Sequence, residues 1–329
     1  MNRSTMRAWI CLAILAVAVT GCATPASPPP PPTPIIVQLP WTHQAGSAGL
    51  YAADQKGDYA AEGLAVTMLE GGSGVDRIAS VLDGTAQFGI GTAEELLLAK
   101  SVGKPVRAIA TIFRRSPTVF VALADTGITR PQDFAGKTIR AETNILPSLH
   151  AITAWVGITP DQYNVVSLPS NLSLFANGDV PIWGVFVNSF VVSAQAAGYK
   201  LNLIYPDDYG VHFYADTLFT TDDLIATNPD LVLRFVRASL KGWTYAVENP
   251  EEVPAMVQMI NPTADPKVQY DQMIATLPLV NTGEDHIGWM NPDVWAAMEA
   301  TLREQNVITA PLDVTQVYTM QFLNEIYNQ

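Results

Sequence analysis

The sequence of 329 residues is short of cysteine, histidine and positive charge, and each shortage removes a class of function. Its 2 cysteines, Cys11 and Cys22, both lie at the extreme N-terminus, and the chain after them has none. Of the 4 histidines (His43, His150, His212 and His286) no two stand three to five residues apart. The helical spacing that pairs metal-ligating imidazoles is therefore missing, and a core or surface role is the reading for each. No metal and no cofactor is expected. Lys and Arg total 18 against 31 Asp and Glu, a formal charge of −13. A chain this acidic repels a phosphate backbone, which excludes nucleic acid as a partner. The apolar run at 8–19 is too short to span a bilayer.

What is present begins at that run. Residues 1–21 contain no acid, carry Arg3 and Arg7 early, and then turn apolar, the pattern of a secretory signal. The segment ends on Val19-Thr20-Gly21-Cys22, which resembles a bacterial lipobox, small residues ahead of a cysteine that becomes the lipidated N-terminus. On this reading Cys11 is removed and Cys22 is capped. No thiol is left for a disulfide, a nucleophile or zinc, and the charge moves from −13 to −15 as the two arginines leave. Residues 22–34, with Pro25, Pro28 to Pro32 and Pro34, form a proline-rich tether. Such a segment is extended and semi-rigid, about 3.1 Å per residue. The expectation is a lipid-anchored, extracytoplasmic protein.

From residue 35 short apolar runs alternate with amphipathic stretches that close on glycine. Strands are predicted at 35–39, 65–70, 88–91 and 106–113, with helices at 48–56, 75–83 and 93–102. A second set has strands at 118–124, 138–141, 165–168, 182–187 and 201–205, and helices at 148–156 and 190–197. Alternation at this spacing argues for parallel sheet covered by helices. After an apolar stretch at 211–219 the chain reads as helical; Thr221 is placed to cap one helix, and Pro229 opens a long one. Residues 83–89 and 177–184 echo each other, each setting a glycine just ahead of a short apolar strand, as two similar lobes in tandem would.

Several segments together resemble a known family. Trp41-Thr42-His43-Gln44, the run from Gly49 to Gly57 with Glu62-Gly63-Leu64, the run from Phe88 to Glu94, Asp133-Phe134-Ala135-Gly136-Lys137, and the run from Trp243 to Pro250 are similar to substrate-binding proteins of ABC transporters. The branch is the one for sulfonates, nitrate and thiamine pyrimidine precursors. The resemblance runs over about residues 35–329 and rests on order and spacing more than on one motif. It implies an α/β, two-lobed periplasmic-binding-protein fold of type II, with ligand in the interlobe cleft. Lobe 1 would be 35–122 with 218–329, and lobe 2 would be 123–217. Crossovers near 121–124 and 214–218 would form the hinge. The implied partners are a small-molecule ligand, an ABC permease with its ATPase, and the membrane through the lipid. A related fold makes the thiamine pyrimidine in fungi, with a cysteine-rich motif that has no counterpart here, so a binding protein is expected and not an enzyme. A lipoprotein sensor on the same fold is the other rival.

Ligands of open α/β sheets lie beyond the carboxyl ends of strands, where helix N-termini offer free N–H groups. The candidates there are Trp41, Gln44, Ser73, Gly74, Thr92, Glu94, Phe113, Glu142, Asn144, Asn171, Trp183, Asn188 and Tyr209. Cations are sparse, with only Arg114, Arg115 and Arg140 close by, whereas a sulfonate or nitrate wants an arginine or several amides aimed at it. Aromatic and amide side chains suit a neutral flat heterocycle held by stacking and a few hydrogen bonds. Trp41 reads as a stacking face or as interlobe packing, and Trp183 as core or stacking. Glu94 and Glu142 read as acceptors for a ring N–H or as ordinary acids of a helix first turn. The turn at 71–74 lacks the lysine of a phosphate loop and reads as amides presented to the ligand.

Pyrimidine-precursor binders typically open with Trp-x-Pro-Asn-x-x-His. This chain keeps Trp41 but has His43, Gln44 and Ser47 in the other places. The stretch from Pro206 to Tyr214 is similar to vitamin-type members, including riboflavin binders. The resemblance thus favours riboflavin, with a thiamine pyrimidine precursor or a sulfonate-type anion as alternatives.

Overall fold

Alternating burial along β5 (Thr118–Leu123) shows how the chain builds its core. Val119 and Val121 enter a small cluster on one face of their sheet, while Phe120 and Ala122 join the main core on the other. The computed structural model describes residues 31–72, 74–283 and 285–328. The expected signal segment, Cys22 and Ser73 lie outside the described residues, as does the tether up to residue 30.

Two five-stranded sheets organise the molecule. The first contains β1 (Thr33–Gln38), β2 (Leu64–Leu69), β3 (Phe88–Thr92), β4 (Val106–Thr111) and β10 (Asp216–Thr221), in the order β2-β1-β3-β10-β4. The second contains β5, β6 (Thr138–Arg140), β7 (Asn164–Val166), β8 (Ile182–Phe186) and β9 (Leu201–Ile204), in the order β7-β6-β8-β5-β9. In both, the first three strands of the order run parallel, and the fourth is antiparallel to its neighbours. The all-parallel expectation is thereby corrected to mixed. The odd strand in each sheet is the one delivered by the chain as it arrives from the other sheet, and strand direction leaves no trace in hydrophobic alternation.

The expected crossover at 121–124 is also corrected. Those residues lie in or directly after β5, and the chain passes between sheets over 112–117 and returns over 205–215. An apolar run that is buried throughout reads as one strand, and a boundary inside it would sever a ladder. The echo at 83–89 and 177–184 acquires a structural basis: β3 and β8 hold the same third place in their sheets. Gly84 (φ 82°) and Gly178 (φ 74°) end the preceding helices in the left-handed region.

Close backbone approach fixes the largest helix contact. Helix Pro229–Glu248 crosses helix Ala48–Gln55 so tightly that a Cβ on Gly242 would lie 2.1 Å from the carbonyl oxygen of Gly49. Thr221 caps its helix as expected, accepting from the Leu224 amide at 3.0 Å. The helix expected at 190–197 starts earlier, as one π-helical turn, Val187–Val191, followed by Val192–Ala196. Isolated π-turns of this kind recur at functional sites.

Candidate functional site

Carboxyl ends of strands from both sheets meet one helix. After β1 the chain runs through Trp41 to Gln44 and a short helical turn, Ala45–Ser47. Several bonds hold this segment: the His43 amide donates to Glu70 Oε1 at 2.9 Å, and Asn261 Nδ2 donates to the His43 carbonyl at 3.3 Å. His43 Nδ1 lies 3.1 Å from the Tyr51 hydroxyl. The glycine turn after β2 packs directly beneath, since a Cβ on Gly71 would lie 2.3 Å from the Leu39 carbonyl oxygen. On this braced segment Trp41 is left 47% exposed, and Gln44 is half-buried. Gly74 is exposed at the turn.

At the end of β3, Thr92 caps helix Ala93–Ser101. Its hydroxyl accepts from the Glu95 amide at 3.3 Å, and Glu95 Oε2 accepts from the Thr92 amide at 3.0 Å. Glu94 is the unusual residue here: it is 7% exposed, and its Oε2 has no hydrogen-bond partner among the described residues. Burial pushes its carboxyl up to about 8, with Glu95 and Asp216 adding to the rise while its own amide and the Thr92 hydroxyl oppose it. Asp216 pairs with Thr92 across β10 and β3, so it stands at the same edge. Burial raises it to about 7, with Arg77 opposing and Glu95 adding. Two carboxyls whose burial favours the protonated form thus sit at one strand end. Sequence reasoning missed Asp216, although a single acid within the apolar stretch 211–219 was a visible irregularity.

The sparse cations are engaged. Arg114 donates to Thr282 Oγ1 at 2.6 Å and to Asp285 Oδ2 at 2.7 Å. Arg115 lies 3.6 Å from Asp207. The buried Arg140 donates to the carbonyls of Leu168 and Gly184, each at 2.9 Å, and pairs with Glu142.

Several expected contacts prove to have structural roles. Trp183 is fully buried in the small cluster, its indole N–H donating to the Val180 carbonyl at 3.0 Å and its ring flanked by Phe175, Phe190 and Arg140. No face is left for a ligand. Phe113 is likewise core, edge-on to Trp243 at 6.1 Å. Asn171 caps helix Leu172–Ala176, accepting from the amides of Ser173 and Leu174 at 2.9 and 3.1 Å. Glu142 serves Arg140. In each case the residue type was right for a ligand and equally right for the local need that claimed it. Asn144 is exposed in the turn before helix Leu146–Trp155, and Tyr209 is half-buried in the turn Pro206–Tyr209. Among the described residues no side-chain hydrogen bond joins either to the segments above.

Asn188 does join them. It lies in the π-turn after β8, and its Nδ2 donates to Thr276 Oγ1 at 3.2 Å. Thr276 belongs to helix Pro266–Val280, which packs on the π-turn and on the Ala45–Ser47 turn alike. One helix therefore ties the carboxyl edge of the second sheet to that of the first. Its polar residues were not anticipated, although Gln269, Gln272 and Thr276 recur at helical spacing. Among the described residues no group of three His, Cys, Asp or Glu side chains is placed to hold a metal ion.

Known proteins resemble this arrangement. The periplasmic aliphatic sulphonate binding protein SsuA of Escherichia coli superposes with a TM-score of 0.70 at 13% identity, over 87% of this chain and 91% of that one. The fold is accordingly the two-lobed fold of periplasmic binding proteins. In sequence, the riboflavin-binding protein RibY of Chloroflexus aurantiacus is 27% identical over 288 residues, 84% of this chain and 82% of that protein. The 4-amino-5-hydroxymethyl-2-methylpyrimidine phosphate synthase of Legionella pneumophila is 25% identical over 302 residues, 88% of this chain and 92% of that protein. Residues 44–253 match the model of the NMT1/THI5-like family, and the chain belongs to that family.

Proposed function

We propose that the protein is an extracytoplasmic solute-binding protein of an ABC importer, held to the membrane by a lipid on Cys22, and that its ligand is a neutral aromatic heterocycle, riboflavin before others. The observation that carries the neutral ligand is the state of the cations. Arg114, Arg115 and Arg140 each already face a carboxylate, so an incoming anion would have to break a pair. Trp41, by contrast, leaves half its surface open, and the raised carboxyl of Glu94 is suited to donate to a heterocycle as well as accept from it. The relative named for riboflavin binding supports that choice of ring system.

We take the lobes to follow the two sheets, with the ligand between their carboxyl edges and closure about the connections 112–117 and 205–215. The Legionella relative, named for a pyrimidine phosphate, favours a thiamine pyrimidine precursor as the second reading. A catalytic role is less supported, because the chain beyond residue 22 offers no cysteine as a nucleophile. Mass spectrometry of small molecules released from the purified protein tests the proposal. A co-purifying flavin supports it, a hydroxymethylpyrimidine moves it to the second reading, and an organosulfonate overturns the neutral ligand.

A further inference from the structure

We infer that Gln272 is a ligand contact, its side-chain carbonyl receiving an N–H or O–H of the bound molecule between the strand ends of the two sheets. The inference rests on the solute-binding reading and adds a residue to its site. Gln269, Gln272 and Thr276 lie three and four residues apart on helix Pro266–Val280 and so share one face. All three are buried, with Gln272 only 6% exposed. A buried polar stripe on a helix is unfavourable unless each group finds a partner.

The two outer members find theirs. Gln269 Oε1 accepts from the Ala45 amide at 2.8 Å, at the turn after β1. Thr276 Oγ1 accepts from Asn188 at 3.2 Å, at the turn after β8, and donates to the Gln272 backbone carbonyl at 2.8 Å. Between them Gln272 Oε1 is buried with no hydrogen-bond partner among the described residues. A leucine or methionine would fill the same volume without an unmet acceptor. An orphaned carbonyl flanked by contacts to both strand ends is explained by a partner that arrives with the ligand: a donor on a heterocycle edge or a hydroxylated side chain.

Gln272→Met, with Gln272→Leu as a second replacement, tests this with two readouts of opposite sense. Without ligand, removing an unmet buried acceptor should leave the unfolding midpoint equal to or above that of the parent protein. Riboflavin, titrated by tryptophan fluorescence, should bind about tenfold more weakly, the loss expected when one buried hydrogen bond to ligand is deleted. A lower ligand-free midpoint in both variants would assign Gln272 to the core and overturn the inference, as would affinity within twofold of the parent. If riboflavin, a hydroxymethylpyrimidine and an alkanesulfonate all fail to bind the parent, the solute-binding reading fails. The inference about Gln272 rests on that reading and falls with it, whereas a parent that binds and variants that keep its affinity overturn the inference alone.

Discussion

Asn188 donates to the Thr276 hydroxyl at 3.2 Å, and this bond links the end of β8 in one sheet to a helix seated on the end of β1 in the other. A ligand held between those ends favours whatever conformation keeps them together, in proportion to its differential affinity. Thr276→Val removes the acceptor and keeps the shape. The variant should lose about 1 kcal/mol of closure, seen as roughly fivefold weaker ligand binding. Small-angle scattering should show a smaller radius of gyration for the parent on adding ligand; an unchanged radius at saturation would contradict closure about the two connections.

Glu94 sets a pH dependence whose sign follows from linkage. Its folded-state carboxyl is raised to about 8 from an ordinary 4.5. The folded chain therefore holds a proton that the unfolded chain has released across that interval, so stability falls as pH rises from about 4.5 to 8. Glu94→Gln keeps a neutral side chain of the same shape. Its unfolding midpoint should match the parent near pH 5 and exceed it by several degrees at pH 8.5, with about 2–4 °C for each kcal/mol. Parallel melting curves for the two proteins across that range would count against a protonated Glu94.

Trp41 and Trp183 should separate cleanly. Trp183→Ala empties a buried ring site and should cost about 3–5 kcal/mol of stability. Trp41→Ala, at a half-exposed residue, should leave stability nearly unchanged. Its ligand should bind one to two decades more weakly, given about 1–3 kcal/mol for a stacked ring. Chemical denaturation and titration of both variants check the contrast, and loss of stability in Trp41→Ala would make it a packing residue.

Gly242→Ala should destabilise strongly, toward the upper end of the about 1–3 kcal/mol typical of overpacking, because the added methyl meets the backbone of Gly49 and Ala53 and neither can turn away. Ligand affinity of the folded fraction should stay the same.

The elements were largely legible in the sequence, and their arrangement much less so. Apolar runs such as 118–123 and 182–186 announce buried strands, and Gly57, Gly84, Gly103 and Gly157 mark helix ends because a left-handed residue is needed there. Direction is different. Nothing in 118–123 or 216–221 says that these strands run against their neighbours, because both pairings bury the same side chains. The site divides in the same way. Trp41 lies exposed beside the strand end where its position after an apolar run put it. Trp183, in an equally apolar setting, is core, because Phe175 and Phe190 come from elements whose packing only the fold determines. Gln272 and Asp216 were visible as polar residues in apolar surroundings, but their meaning came from what failed to pair with them, or from what stood beside them.

The most direct test of a neutral aromatic ligand is a titration of riboflavin, a hydroxymethylpyrimidine and an alkanesulfonate at low and high salt, followed by tryptophan fluorescence. With the arginines at the strand ends already paired, riboflavin should bind tightly, quench tryptophan, and keep its affinity as salt rises, because no net ion pair has to be screened. Tight binding of the alkanesulfonate alone, weakening steeply with salt, would contradict the account.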